Sequence, residues 1–500
     1  METASVGTAS RGAFAAGLRA KILTGFAWKA GSEAALQISK IVVAIVLARL
    51  LTPQQYGVAG MVIVFATIVP IFSDLALGAA LIHRPTLTEA DRSTVFWTNV
   101  ATGVLLTAIC IGIAGPLASY YHEPKVRLLF IVFSSTFLLG SLGATQLALL
   151  TKEMNFRGLE TRVIAGTVVG AAVGITIAAM GGGAWAIVGQ QVAIAFVSTV
   201  LLWRFSTWRP RLIFSRQSLR SLGSYSGNVF GSHVLIQLGP NVNNLLIGRW
   251  AGPAALGSYT LSQNVILQPF YRIAAPIQEV LFPAFSTLQE HPERIAGMWL
   301  RVNRLLAAVA MPCLVGLAAL APDFVDVVLG NRWQRATVVI QILCWVGVLQ
   351  VLQRLNLSIL QARDRTRELL WFSVLSLALG VGAVIAGLPW GVKGVAVAFA
   401  VVSTLTLPLF TWITARAVGV SLRECVANVA GVAQAAAGMT VAILLLRHGL
   451  IQLDVAPIFR LLVLIPAGAL IFTLLVFWRA PELKPELAAA AQHVRDARRR

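Results

Sequence analysis

Apolar runs of about 20 residues or more recur along almost the whole of this chain, and they constrain its fold more than any other feature. At 1.5 Å of rise per helical residue, about 20 residues cross a hydrocarbon layer roughly 30 Å thick. Inside that layer a backbone must satisfy its own hydrogen bonds, which restricts repeated long apolar runs to helices. Composition agrees: 57% of residues are hydrophobic and 12% charged, against about 25% charged in a soluble domain. The expectation is an all-α polytopic membrane protein.

Apolar windows and helix breakers predict about fourteen spans, near 22–48, 56–78, 93–115, 126–150, 158–180, 184–205, 222–249, 255–282, 295–320, 335–360, 368–388, 392–415, 426–447 and 459–478. An even number puts both termini on one side. With the termini cytoplasmic, that side collects 26 of the 40 Lys and Arg residues and the other side nine. The positive-inside rule therefore predicts cytoplasmic termini. The same distribution accounts for the formal charge of +20 without nucleic acid, which is not expected as a partner.

The chain repeats itself. LARLLTPQQYG joins the first two predicted spans and IGRWAGPAALG joins the seventh and eighth; both contain R-x3-P-x3-G. Arg49, Pro53 and Gly57 recur as Arg249, Pro253 and Gly257, 200 residues later. Six spans separate the copies, so the two six-helix lobes have the same topology and are related by a parallel repeat. The predicted division is a cytoplasmic tail (1–21), an N-lobe (22–206), a linker (207–221), a C-lobe (222–416), two additional C-terminal helices within 426–479 and a basic cytoplasmic tail (480–500).

The linker is too polar to span. On a helical wheel Trp208, Leu212, Leu219 and Leu222 share one sector, with Arg209, Arg216 and Arg220 beside it. That pattern predicts an amphipathic helix on the cytoplasmic leaflet, with a solvated loop as the alternative. Glycines at spacings of four, Gly166, Gly170 and Gly174 and then Gly223, Gly227 and Gly231, predict faces where helices pack closely.

Charged side chains inside spans are costly, about 2.5–3.5 kcal/mol each at mid-bilayer, and they point to a pathway or cavity. The first predicted span carries Lys29, Glu33, Gln37 and Lys40 on one face, and the eighth carries Gln268, Arg272 and Glu279. The seventh adds His233, Gln237, Asn241 and Asn244, and the ninth and tenth add Arg304 and Arg354. Lys29, Arg304 and Arg354 lie near enough to span ends to snorkel toward the interface instead. Taken together, Lys29, Lys40, Arg272, Arg304 and Arg354 outnumber Glu33 and Glu279 by three charges. A cavity of that sign calls for an anionic ligand such as phosphate or pyrophosphate. Gln237, Asn241, Asn244 and Gln268 are candidate polar contacts to the cargo, which would be sugar contacts for the cargo that the family resemblance below implies, and Glu33 and Glu279 are candidates for ion coupling.

No catalytic, metal-ligating or cofactor-binding motif is present: there is no Walker A sequence or HExxH, and Cys110, Cys313, Cys344 and Cys425 lack metal-ligand spacing. A membrane glycan polymerase or ligase would need an external loop long enough to carry catalytic groups, and the predicted external loops are short. A drug or metabolite antiporter remains the alternative within transport.

The segments WKAGSEAALQISKIVVAIVLARLLTPQQYGV, FSDLALGAALI, FWTNVATG and LALLTKEMNF resemble the Wzx-type polysaccharide flippases of the MATE-like (MOP) superfamily, in particular the colanic-acid-exporter-like branch serving lipopolysaccharide and exopolysaccharide. The resemblance covers the first twelve spans. It implies two six-helix lobes in a V, a central cationic cavity and an oligosaccharide cargo on undecaprenyl pyrophosphate. It also implies a bacterial inner-membrane location, contact with membrane lipids, and work alongside glycan polymerase or export machinery. Related lipid II flippases carry functional arginines in helices 1, 2 and 8. Arg272 matches the last of these, Lys29 or Lys40 would substitute in the first, and the second span lacks a central arginine, which disfavours lipid II as cargo.

Overall fold

A computed structural model describes residues 36–67, 77–84, 86–220, 241–268, 278 and 281–483. Among these residues there are helices and turns and no β-strand. Nine candidate membrane spans occur among them, including a 52-residue stretch that is two helices joined by a short turn. Helical residues occur within all fourteen predicted windows. The chain separates into two compact units, one of residues 1–51 and 58–241 and the other of 52–57 and 242–500.

The first unit contains α1 (36–50), most of α2 (Pro53–Ile63), α3 (Leu77–His83), α4 (Glu89–Tyr121), α5 (Lys125–Lys152), α6 (Phe156–Ala179) and α7 (Trp185–Phe205). α4 begins with a capping box in which Thr88 accepts from the Asp91 N–H and Asp91 accepts from the Thr88 N–H. It turns into α5 through His122, whose φ is 55°. Small residues let this antiparallel pair approach closely: a Cβ on Gly103 would lie 2.3 Å from the Ser141 Oγ. Several Ser and Thr hydroxyls along these helices donate to carbonyls of the preceding turn, as Thr98 does to Thr94 and Ser141 to Phe137, so these enter an apolar medium satisfied. The Gly166, Gly170 and Gly174 ladder lies against Ile194, Gln190 and Ala186 of α7, which is the close packing its spacing predicts. The second ladder, at 223–231, lies outside the described residues.

The second unit contains α8 (241–250), α9 (Pro253–Ser262) with a π-helical turn over Gln263–Leu267, α10 (281–287), α11 (Pro292–Phe324), α12 (Ala336–Gln353), α13 (Asn356–Ala362), α14 (Thr366–Gly387), α15 (Gly391–Val418), α16 (Leu422–Gln452) and α17 (Pro457–Arg479). Residue 241 itself groups with the first unit. α11 packs on α12, α12 on α15, and α14 on α15. The last two helices pair with each other and lie on α11. The repeat is visible in the turns as well: Met154 after α5 and Asp364 after α13 have φ of 55° and 54°, at the same junction in each half. α4 and α11, equivalent in the repeat, are both 33 residues long.

Residues 206–215 differ from the sequence expectation, being irregular rather than helical, while 216–220 of the linker are helical. Pro210 lacks the N–H that a helix needs there. The backbone is instead held by side chains: the Arg211 N–H donates to Ser93 Oγ at 3.2 Å, and the Ser215 N–H to Thr94 Oγ1 at 2.9 Å.

Candidate functional site

The duplicated junction is the element of the repeat that the structure defines most closely. Each copy ends one helix at a Trp or Leu and restarts with proline at the first helical position, Pro53 in α2 and Pro253 in α9. Proline suits that position because its missing N–H would have no intrahelical partner there. Residues 52–57 belong to the second unit, and within it the two copies pack on each other reciprocally. A Cβ on Gly57 would lie 1.7 Å from the Pro253 carbonyl oxygen, and one on Gly257 would lie 1.9 Å from that of Pro53. Only glycine permits such a backbone crossing. Beside it, the Tyr56 ring meets Trp333 edge-on at 5.7 Å, and Asn264 Nδ2 donates to the Tyr56 hydroxyl at 3.4 Å. Asn243 and Gln263 lie next to the hydroxyl of fully buried Tyr259. Tyr56, Asn243, Tyr259 and Asn264 were not among the residues singled out from sequence; the motif that carries Tyr56 was the available signal.

Of the predicted cavity residues, Lys29, Glu33, Gln237, Arg272 and Glu279 lie outside the described residues. Lys40 is exposed on α1. Asn241 and Asn244 begin α8, where the Asn244 Oδ1 is buried without a hydrogen bond. Gln268 is exposed directly after the π-helical turn of α9, a feature that re-aims the side chains following it. Arg354 sits half-buried at the break between α12 and α13. Arg304, on α11, forms an ion pair with Glu482 just beyond α17.

A second charged group escaped the sequence reading. Asp323, at the end of α11, is almost wholly buried and is paired by Arg447 of α16 and, at 3.0 Å, by Arg460 of α17. Two arginines that the sequence counts at the non-cytoplasmic ends of the last two predicted spans are thus committed to one buried carboxylate. In the first half of α11, the Asn428 side chain on α16 donates to the Leu300 carbonyl at 2.8 Å, close to the Arg304–Glu482 pair. The last two helices are therefore bonded to α11 at its C-terminal end and again within its first half.

Each unit also holds buried amides without hydrogen-bond partners, Asn99 on α4 and Gln146 on α5 in the first and Asn356 on α13 in the second, where the Asn303 Oδ1 on α11 is likewise unpartnered. Gln146 and Asn356 each precede their helix end by six residues. The described residues contain no group of three or more His, Cys, Asp or Glu side chains suited to a metal.

A family described as polysaccharide biosynthesis protein matches residues 46–338. The teichuronic acid biosynthesis protein TuaB of Bacillus subtilis (strain 168) is 26% identical over 470 residues, 93% of this chain and 97% of its own length. The lipopolysaccharide biosynthesis protein WzxC of Escherichia coli (strain K12) is 26% identical over 81% of this chain and 84% of its own. Among solved structures, the lipid II flippase MurJ in an inward closed conformation superposes with a TM-score of 0.73 at 13% identity, covering 91% of this chain and 99% of MurJ. An inward-facing multidrug resistance MATE family transporter of the MOP superfamily gives 0.60 at 15% identity, covering 78% and 96%. At those identities the likeness is one of fold. With the family pattern spanning more than half of its length, this duplicated, all-helical membrane chain belongs to the polysaccharide biosynthesis protein family.

Proposed function

We propose that this chain is a flippase that moves undecaprenyl-pyrophosphate-linked oligosaccharide units from the cytoplasmic to the periplasmic leaflet of the bacterial inner membrane, for lipopolysaccharide or exopolysaccharide synthesis. The observation that carries the reading is likeness over nearly the full length to a teichuronic acid biosynthesis protein. The work is translocation by alternating access; no bond is made or broken.

In this reading the lobes are 22–206 and 222–416, helices within 426–479 are an addition, and both tails are cytoplasmic. Lys29, Lys40, Arg272 and Arg354 hold the pyrophosphate, and Arg304 joins them when it leaves Glu482. Gln237, Asn241, Asn244 and Gln268 contact sugars, while Glu33 or Glu279 serves any coupling ion. A glycan polymerase or export complex would receive the product. The cation excess supports an anionic cargo over the cationic drugs of a multidrug exporter.

An inside-negative potential favours outward movement of two phosphate charges by about 4.6 kcal/mol at 100 mV. The test is to delete the gene and locate the lipid-linked repeat. Accumulation on the cytoplasmic leaflet is expected; accumulation on the periplasmic leaflet would exclude a flippase.

A further inference from the structure

The strap after α7 is built to hold an apolar tip away from the protein. Its near end is fixed by Arg209, whose guanidinium donates to the carbonyls of Trp203, Ser206 and Trp208 and lies 5.6 Å from the Trp203 ring centre. Trp208 Nε1 donates to Glu89 at 2.9 Å, and Trp97 Nε1 to the Arg211 carbonyl at 2.8 Å. The far end is fixed by the bond from the Ser215 N–H to Thr94. Between these anchors Leu212, Ile213 and Phe214 are all exposed, and Leu212 at 90% is the most exposed large hydrophobic residue described.

The surroundings indicate what the tip meets. α7 is a membrane span, so the strap emerges where that span ends. Phe96, Trp97, Trp203 and Trp208 form one aromatic cluster there, of the kind concentrated at the lipid–water boundary. Arg211, Arg216 and Arg220 flank the tip and are exposed. Nearby acidic side chains are already engaged, Glu89 by Trp208 and Asp91 by Arg84 at 3.1 Å. The chain has no acidic residue at all between Glu160 and Glu279. An apolar wedge ringed by unopposed positive charge is complementary to a lipid surface carrying negative headgroups.

We propose that Leu212, Ile213 and Phe214 insert into the adjoining leaflet and that Arg211, Arg216 and Arg220 make this anchor selective for anionic lipid. The site differs from an amphipathic helix in that hydrogen bonds to the start of α4 fix the tip, so the first unit carries the anchor with it. It is independent of the identity of the cargo.

The test uses the full chain with its four cysteines replaced and one cysteine placed at Leu212 or Phe214, labelled with bimane and reconstituted in liposomes. Brominated phosphatidylglycerol should quench the label at least about fivefold more efficiently than brominated phosphatidylcholine, given roughly that factor per basic residue near an anionic surface. The R211Q/R216Q/R220Q variant should lose the preference yet keep quenching by both lipids. A label at Leu462, exposed on α17, checks correct insertion of each variant. A tip quenched by neither lipid, and so facing water or a protein partner, would overturn the proposal, as would equal quenching by both lipids in the native arginine background. Native mass spectrometry of the unlabelled chain provides a second reading: the arginine variant should retain fewer phosphatidylglycerol molecules, and equal retention would count against it.

Discussion

Replacing Gly57 with alanine tests the crossing of the duplicated junctions directly. The new methyl group would meet the Pro253 oxygen at 1.7 Å, the Pro253 carbon at 2.5 Å and the Gly257 nitrogen at 2.9 Å, whereas ordinary contact begins at 3.4 Å. All three are backbone atoms, so no rotamer change relieves the overlap and the helix starts must part by about 1.7 Å. Overpacking of flexible side chains costs about 1–3 kcal/mol, and a backbone crossing should sit at or above the top of that range. Separation would also loosen the Tyr56 contacts with Trp333 and Asn264. The expected outcome is an apparent Tm lowered by roughly 5 °C or more in detergent, with reduced polysaccharide export in cells. Gly112→Ala and Gly115→Ala, where nothing lies within 4 Å of the added atom, serve as controls and should change neither. Because one substitution already parts the helices, Gly57→Ala with Gly257→Ala should cost less than the sum of the singles. A Gly57→Ala protein with unaltered Tm and export would refute the close crossing, and additive costs would refute its reciprocity.

Removing the buried carboxylate with Asp323→Ala leaves Arg447 and Arg460 unpaired and should cost about 3–5 kcal/mol, read as a lowered Tm and faster proteolysis within 422–479. Arg447→Gln should cost less, since Arg460 still holds Asp323; equal losses would argue against a shared clamp. Gln146→Met exchanges a buried amide without partners for an apolar group of similar shape and should raise Tm, because an unsatisfied buried polar group costs about 1–3 kcal/mol; a fall would show that the amide is engaged. Lys40→Ala and Arg272→Ala should each lower flipping of the lipid-linked repeat in proteoliposomes at least about tenfold at unchanged protein level, and wild-type rates in both would remove them from the cargo site. Collapsing the membrane potential while keeping the pH gradient should slow transport, and an unchanged rate would reject a role for the potential.

Length and pattern of the apolar runs determined the helical, membrane-spanning character of the chain, since a backbone in lipid has few ways to satisfy itself. The repeat was equally legible, because R-x3-P-x3-G marks a helix end and restart whose chemistry is local: proline opens α2 and α9 where the spacing says it should. The Gly166 ladder was legible for the same reason, its face following from helical periodicity alone.

Partner identity was not legible. Nothing local tells that Gly57 meets Pro253, or that Arg447 and Arg460 converge on Asp323, for these contacts join residues more than 100 positions apart. Arg304 read as a cavity cation because hydropathy places it inside a span, yet Glu482 from the end of α17 reaches it. The strap at 206–215 read as a helix because its hydrophobic spacing fits one, but its N–H groups donate to Ser93 and Thr94 and its Arg211 carbonyl accepts from Trp97, which holds it out of a helix. Periodicity along a chain reports how each segment lies against its medium; which groups neutralise or hold one another is decided only when distant segments are packed side by side.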